Sequence, residues 1–373
     1  MRVTVLAENL NRAIGIVGRS VASKPQIPIL GSILFRAVKD GLELTSTDLE
    51  MSFRVKEGAK VGEEGEVCLP AKVIGELAAT IASGTVEIVV EKEVVSIRAG
   101  KVKAQISVVA GGEFPTVPVF KGKADLVFDS DGLVGSVSRV AQSAAKDDTR
   151  PVFTGILWVF EGKKVKLVAT DGYRLGIEEL EVERMGESEL KKLVIPARSL
   201  MELVRVVDKE GREKVEVKID EGKQQVLFRV GGVELVSRLL AGEFPPYGQI
   251  LPSGHKTRVE FDREELLEGI KRAAIFARES ANIVRLEMND KGARVSANSS
   301  QVGSSETEVE AKVEGEDLIV AFNSRYLLDY LMGADADVIE LKSEGSLKPG
   351  VFIEMGKKKS NFLQVIMPVR VQG

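Results

Sequence analysis

The chain has 373 residues, with 52 Lys and Arg against 56 Asp and Glu, a formal net charge of −4, and one His and one Cys. At about 100–200 residues per domain this length calls for two or three domains. The lone Cys68 excludes a disulfide scaffold and a thiolate-rich zinc site, and the lone His255 leaves almost no imidazole for metal binding or acid–base catalysis. The acidic balance argues, at face value, against a simple basic nucleic-acid binder. The start, MRVTVLAENLNRA, lacks a charged leader and apolar core, and no stretch reaches the roughly 20 apolar residues of a membrane span, so a soluble cytoplasmic protein is expected. Plentiful Val and Gly with only 5% aromatics favour many short strands.

In chain order, residues 7–24 read as a helix, since LNRAIGIVGRSVA from Leu10 is apolar at three- and four-residue spacing. A hairpin follows from Pro28 (PILGSILFRAVKDGLELTSTDLEM), then a helix over 71–83 after Leu69-Pro70, then the alternating run VEIVVEKEVVSIRA. After Gly112-Glu113-Phe114-Pro115 and the linker PTVPVFKGK the series begins again. A helix over 133–146 precedes PVFTGILWVFEGKKVKLVATDGYR from Pro151, a helix over 197–209 follows IPARSLMEL, and VKIDEGKQQVLFRV leads to Gly242-Glu243-Phe244-Pro245. Pro28/Pro151, Ile33/Ile156, Leu34/Leu157, Leu44/Leu167, Thr47/Thr170 and Asp48/Asp171 match at an offset of 123. A third, weaker copy has a helix over 263–279, IVRLEMNDKGARVSANSS from Ile283 with Asn298-Ser299 in place of Thr-Asp, and a helix over 323–332.

Three tandem domains are therefore expected, 1–123, 124–252 and 253–373, joined at the Pro- and Gly-rich segments. Each reads as strand, helix, three strands, helix and three strands. This is an α+β unit of two helices on two antiparallel sheets, with one stripe of each helix buried.

Charge divides by element. Arg12, Arg19 and Lys24 exceed Glu8 by two, Arg139 and Lys146 add two, and Arg198, Arg205 and Lys209 exceed Glu202 and Asp208 by one. The other three helices balance, although Lys271, Arg272 and Arg278 cluster late in the fifth. The predicted helices thus carry +5 and the remainder −9. For one helix, basic residues on a free face mean only solvation; repeated over three copies, they point to a polyanion. With no recognition helix or aromatic stacking cluster, the contacts would be to phosphate and independent of sequence.

The threefold repeat, the PILGSIL hairpin entry, Thr170-Asp-Gly-Tyr-Arg-Leu175, Gly-Glu-Phe-Pro-Pro-Tyr247 and Met367-Pro-Val-Arg370 resemble the beta subunit of bacterial DNA polymerase III, the sliding clamp family, along essentially the whole chain. The resemblance implies three tandem copies of the DNA clamp fold and a head-to-tail homodimer whose six domains close into a ring. Helices would face duplex DNA and sheets would form the outer wall. It implies no cofactor and no catalysis, but a processivity factor that tethers the polymerase III alpha subunit, the clamp loader, and other polymerases and repair factors. Lys24 falls where the family places a basic DNA contact, and Arg12, Arg19, Lys72, Arg139, Arg198, Arg205, Lys271, Arg272 and Arg278 are candidates for the remaining lining. Near Arg150, where the family often has an uncharged DNA contact, this chain has Asp147 and Asp148.

Carried over position by position, the family's partner-peptide pocket would use Arg150, Phe153, Thr170, Gly172, Tyr173, Arg174, Leu175, Pro245, Ile250, Val365, Met367, Pro368, Val369 and Arg370. Gln249 stands where the family frequently has Arg. Without the resemblance, Asp171-Gly172 is only a hairpin turn and Met367-Pro-Val-Arg370 an ordinary chain end. Ile275 and Phe276 match apolar helix positions of the family's dimer interface, with Ile106 on the opposing edge strand; core packing is the competing explanation for all three.

Other motifs carry no chemistry. Gly350–Ser360 only superficially resembles a phosphate loop, because five residues separate its glycines and Lys357 is followed by Lys358, not Ser or Thr. Lys357-Lys358-Lys359 reads as a solvated turn, His255 lies in a linker without a carboxylate partner, and Cys68 reads as a buried small hydrophobe. A repeat-built scaffold that binds peptides without encircling DNA is the alternative to a clamp, and an enzyme with an unrecognised site has least support.

Overall fold

The computed structural model describes residues 1–22, 24–109, 114–185, 192–211, 214–356 and 361–370. Gly112 and Glu113 of the first repeated tetrapeptide, and the run Lys357–Lys359, lie outside the described residues. The six helices are α1 (Ala7–Val17), α2 (Ala71–Ala79), α3 (Ser130–Ala141), α4 (Ala197–Glu210), α5 (Arg263–Ala277) and α6 (Ser324–Gly333). α1 buries Leu10, Ala13, Ile14 and Val17, the spacing that made it legible. Asp262 caps α5 by accepting from the Glu265 N–H at 2.9 Å, and Asn323 caps α6 from Arg325 N–H at 2.9 Å.

Two expectations need correction. Each repeat has five strands between its helices where three are expected, because short polar strands such as Ala59–Glu63 were not legible. That strand leaves Lys60, Gly62 and Glu63 at an edge, and its alternation of Ala59 and Val61 with polar neighbours is too short and too weakly apolar to announce it. The helices are also shorter at their C-terminal ends than expected, except α4 and α6, which each run one residue further. α1 gives way to a 3-10 turn at Gly18–Ser20, and α3 begins at Ser130 and stops at Ala141. Within the observed spans basic and acidic residues balance: Arg12 with Glu8, Lys72 with Glu76, Arg139 with Asp131, and Arg325 with Asp329. α4 sets Arg198, Arg205 and Lys209 against Glu202, Asp208 and Glu210, while α5 sets Arg263, Lys271 and Arg272 against Glu264, Glu265 and Glu268. Of the +5 of the predicted spans, three charges, Arg19, Lys24 and Lys146, lie in segments flanking the helices, and two are offset by Asp131 and Glu210, which fall inside the observed α3 and α4.

The chain forms two compact units, one of Met1–Ser130, Glu183–Ser188 and Glu202–Leu239, the other of Asp131–Val182, Glu189–Met201 and Leu240–Gly373. The first holds a five-stranded and a nine-stranded antiparallel sheet, the second a nine-stranded and a four-stranded one. Each nine-stranded sheet runs across a joint between repeats. In the first unit Val233–Arg238 pairs with Met51–Glu57, placing Leu235 opposite Phe53. In the second, Leu363–Ile366 pairs with Arg174–Glu181, placing Val365 opposite Leu175. The strand Val102–Ser107 ends the five-stranded sheet and Gly303–Val309 ends the four-stranded sheet, each with one side unpaired.

In the second unit Phe352 meets Phe322 at 5.7 Å and Tyr330 at 5.6 Å between ring centroids, and Tyr330 stacks on Phe362 at 5.8 Å. Phe352→Ala is expected to lower unfolding stability by about 3–5 kcal/mol, measured by urea denaturation. Cys68, in the strand Gly65–Pro70, is fully buried beside Val109, and burial pushes its thiol up to about 12. Native protein should therefore react with a thiol reagent at pH 8 at least about a hundredfold more slowly than urea-unfolded protein, followed by alkylation and mass spectrometry.

Candidate partner pocket and basic surfaces

In the second unit the strands Lys164–Thr170 and Arg174–Glu181 meet at a turn whose side chains close it. The Thr170 hydroxyl donates to Arg174 O at 2.7 Å and accepts from Gly172 N–H at 3.0 Å. Asp171 Oδ1 accepts from the N–H groups of Tyr173 and Arg174 at 2.9 and 3.0 Å. Gly172 has φ +91°, the backbone conformation that favours glycine, and an added Cβ would lie 3.0 Å from Arg150 Nη2, which would have to shift. The first repeat builds the same turn, with Leu49 N–H donating to Thr47 Oγ1 at 3.0 Å and Asp48 accepting from Met51 N–H at 2.7 Å.

The chain end lies over this turn. After Leu363–Ile366, Met367 N–H donates to Tyr173 O at 2.9 Å and Val369 N–H donates to Ala321 O at 2.8 Å. Beneath, Leu157, Val168, Leu175, Ile177, Val194, Val351 and Val365 form an apolar cluster, against which Phe244, Tyr247 and Ile250 pack half-buried. Arg174 is buried, bonded to Asp171 at 3.1 Å and Asp329 at 2.7 Å, with its guanidinium 4.4 Å from the Tyr326 ring centroid. Arg150 donates to Asp171 O at 3.2 Å and lies 4.1 Å over the Phe153 ring, which tilts against Phe244 at 6.2 Å. Tyr173, 64% exposed, and Met367, 38% exposed, remain open to solvent, as does Arg370. Pro245, Pro368 and Val369 are half-buried. The fourteen expected residues thus fall on the turn, the chain end, the apolar cluster and the segments beside them. Asp171, Asp329, Tyr326 and Phe244 stand beside the expected residues; Asp171 and Phe244 had sequence signals, the repeated Thr-Asp and Gly-Glu-Phe-Pro, and Asp329 and Tyr326 had none.

The expected basic residues divide into two groups. Arg12 is held by Glu57 at 2.6 Å and by Glu210, Arg19 by Glu202 at 2.9 Å, and Arg205 by Glu202. Arg139 is held by Glu178 at 2.5 Å and Asp335 at 3.2 Å, Lys271 by Glu268 at 2.8 Å, and Arg272 by Glu268 at 4.0 Å. Burial alone would lower the Arg12 pKa, but its bonds to Glu210 and the charge of Glu57 raise it; burial raises the Glu57 carboxyl despite Arg12. Lys24, Lys72 and Arg278 are exposed and make no ion pair among the described residues; Arg198 is exposed. Asp147 is turned onto Thr149, whose hydroxyl and backbone N–H hold its pKa down. Gln249 is exposed in a 3-10 turn, Tyr247–Gln249. Ile275 is 59% exposed on α5, Phe276 is half-buried and reaches within 4.0 Å of the Cβ position of Gly303, and Ile106 is only 6% exposed within its own domain. Among the described residues no His, Cys, Asp and Glu group could hold a metal ion, and no helix is long and apolar enough to cross a membrane.

Threefold α+β clamp domains, joined through continuous antiparallel sheets, define the class of DNA clamps. Residues 1–118, 128–246 and 248–370 match the N-terminal, central and C-terminal domain models of the DNA polymerase III beta subunit, and the chain belongs to that family. It is 29% identical to the beta sliding clamp of Bacillus subtilis (strain 168) over 382 residues, covering 99% of this chain and 100% of the relative. It is 27% identical to the beta sliding clamp of Synechococcus elongatus, covering 100% of each. The crystal structure of the DNA polymerase sliding clamp from Bacillus subtilis superposes with a TM-score of 0.94 at 28% identity, and that of the DNA polymerase III beta subunit from Thermotoga maritima with 0.91 at 27%, each covering 100% of both chains.

Proposed function

We propose that this chain is a DNA sliding clamp, a processivity factor that encircles duplex DNA as a head-to-tail homodimer of three-domain chains, 1–123, 124–252 and 253–373. The observation that carries this reading is the repeated joint. The last strand of the second repeat, Val233–Arg238, pairs with Met51–Glu57 of the first, and the last strand of the third, Leu363–Ile366, pairs with Arg174–Glu181 of the second. By the same rule the last strand of the first, Val102–Ser107, calls for Gly303–Val309 of a third repeat, and both are sheet edges. A second copy satisfies both edges twice and closes the assembly, which a heterologous contact must do if it is not to grow into filaments. Lys101 and Lys103 at one edge complement Glu306 and Glu308 at the other, all exposed. Ile275 and Phe276 contribute apolar surface beside that pairing, whereas Ile106 is buried in its own chain and supports the edge strand from within. Raising salt from about 0.05 to 0.5 M should weaken the dimer several-fold, read by analytical ultracentrifugation, because these charges are screened.

The exposure of Lys24, Lys72, Arg278 and Arg198 supports reading them as phosphate contacts. The pocket under Met367 takes short peptides of the polymerase alpha subunit, the clamp loader and other polymerases and repair factors, in the cytoplasm. Its flexible Met367 beside Pro368 and Val369 suits an adaptable binding surface. The chain contributes no catalysis and needs no cofactor; it holds an enzyme near its template. The test is retention after loader-driven assembly: protein should stay on closed circular duplex and leave the same DNA within seconds of linearisation. Equal loss from both refutes topological holding.

A further inference from the structure

In the first unit Arg12 of α1 and Arg19 of the 3-10 turn that follows it pair with α4 in antiparallel order, Arg12 with Glu210 and Arg19 with Glu202. The two glutamates lie eight residues apart on α4, about 12 Å of helix rise. The two ends of this seam differ in stoichiometry. Arg12 has two carboxylates, Glu57 and Glu210, both nearly buried, with side chains 6% and 10% exposed. Glu202 instead serves two cations, Arg19 at 2.9 Å and Arg205, whose side chain is 53% exposed.

A guanidinium held by a partly buried carboxylate offers phosphate only an exchange of partners. If phosphate took Arg12, two carboxylates would lose their cation in a poorly solvated place, a heavy desolvation penalty. Glu202, 12% exposed, differs in stoichiometry: one carboxylate serves two guanidiniums, so its removal would release Arg19 and Arg205 together. We propose that Glu202 is a built-in counter-charge that limits how tightly this surface grips duplex DNA: it holds Arg19 and Arg205 away from phosphate, so that the DNA contact stays weak enough to move along. The inference rests on the reading that these helices face DNA.

The test measures binding of the full-length protein to a linear duplex of mixed sequence by fluorescence anisotropy over a range of salt. Glu202→Gln should bind about three- to tenfold more tightly at about 50 mM salt, and its log affinity should fall more steeply with log salt by about 0.9 for each additional phosphate neutralised. Glu210→Gln is the matched control: it removes a bond of the same seam but leaves Arg12 on Glu57, and its affinity should stay within about twofold of the parent. Unchanged affinity of Glu202→Gln, or an equal increase in both variants, overturns the proposal. Should Glu202→Gln fail to fold by circular dichroism, the double variant Arg19→Gln, Arg205→Gln decides. Parent-like affinity supports caged cations, and a loss of about tenfold or more shows direct phosphate contacts and overturns them. Failure of the parent to stay on closed circular duplex after loader-driven assembly would remove the clamp reading along with this one, whereas parental retention with unaltered duplex affinity in the variants removes only the counter-charge.

Discussion

Truncation after Ile366 should abolish partner-peptide binding, weakening it more than about a hundredfold, while the dimer and fold persist. The cut spares Leu363–Ile366, whose pairing with both Arg174–Ile177 and Gly350–Ile353 completes the nine-stranded sheet. It removes the Met367 bond to Tyr173 O and the Val369 bond to Ala321 O, and with them the exposed Met367 side chain. Binding energy in such sites concentrates in a few well-packed side chains, commonly about 2 kcal/mol or more each, so loss of Met367, Pro368 and Val369 together exceeds any rim effect. Fluorescence polarisation with a labelled peptide from the polymerase subunit measures the loss, and light scattering the dimer. Parental affinity in the truncated protein would remove the pocket from this surface.

The double substitution Ile275→Glu, Phe276→Glu should produce monomers that keep the pocket. Ile275 is 59% exposed and contributes little to its own core, so the charge is tolerated in the isolated chain. Phe276 is half-buried near Gly303, at the start of the unpaired edge strand, and links α5 to the edge offered to the second copy. A carboxylate desolvated there, in place of an apolar side chain worth about 1.5–3 kcal/mol on burial, costs several kcal/mol per site, and each interface occurs twice in a closed pair. Light scattering should show monomer, peptide affinity should stay within about twofold, and retention on circular DNA should vanish. A dimer of parental stability would place α5 outside the interface.

The two variants separate functions that the sequence presents as one motif list. Thr170-Asp171-Gly172 was legible because its hydrogen bonds are local: donor and acceptor lie within four residues, and Gly172 needs φ +91°. The partners of Arg174 were not. Asp329 is 155 residues away, and α6 carries no pattern that marks Asp329 or Tyr326 as its neighbours. The short edge strands escaped for another reason: Ala59–Glu63 has five residues and alternates only between half-buried and exposed, with no fully buried side chain to mark a core face.

The repeats, the order of helices and hairpins, the chain-end motif and the scarcity of His and Cys were set by the sequence alone, since each depends on residue identity and short spacing. Charge was not. The net −4 was legible, and so was an excess of basic residues around the predicted helices, but which cations are available was decided by tertiary structure. Arg12 meets Glu210 across 198 residues and Arg19 meets Glu202 across 183, pairings that no local pattern encodes. An ion pair depends on distance in space and on burial, and folding alone brings those carboxylates to α1, leaving Lys24, Lys72 and Arg278 as cations exposed to solvent.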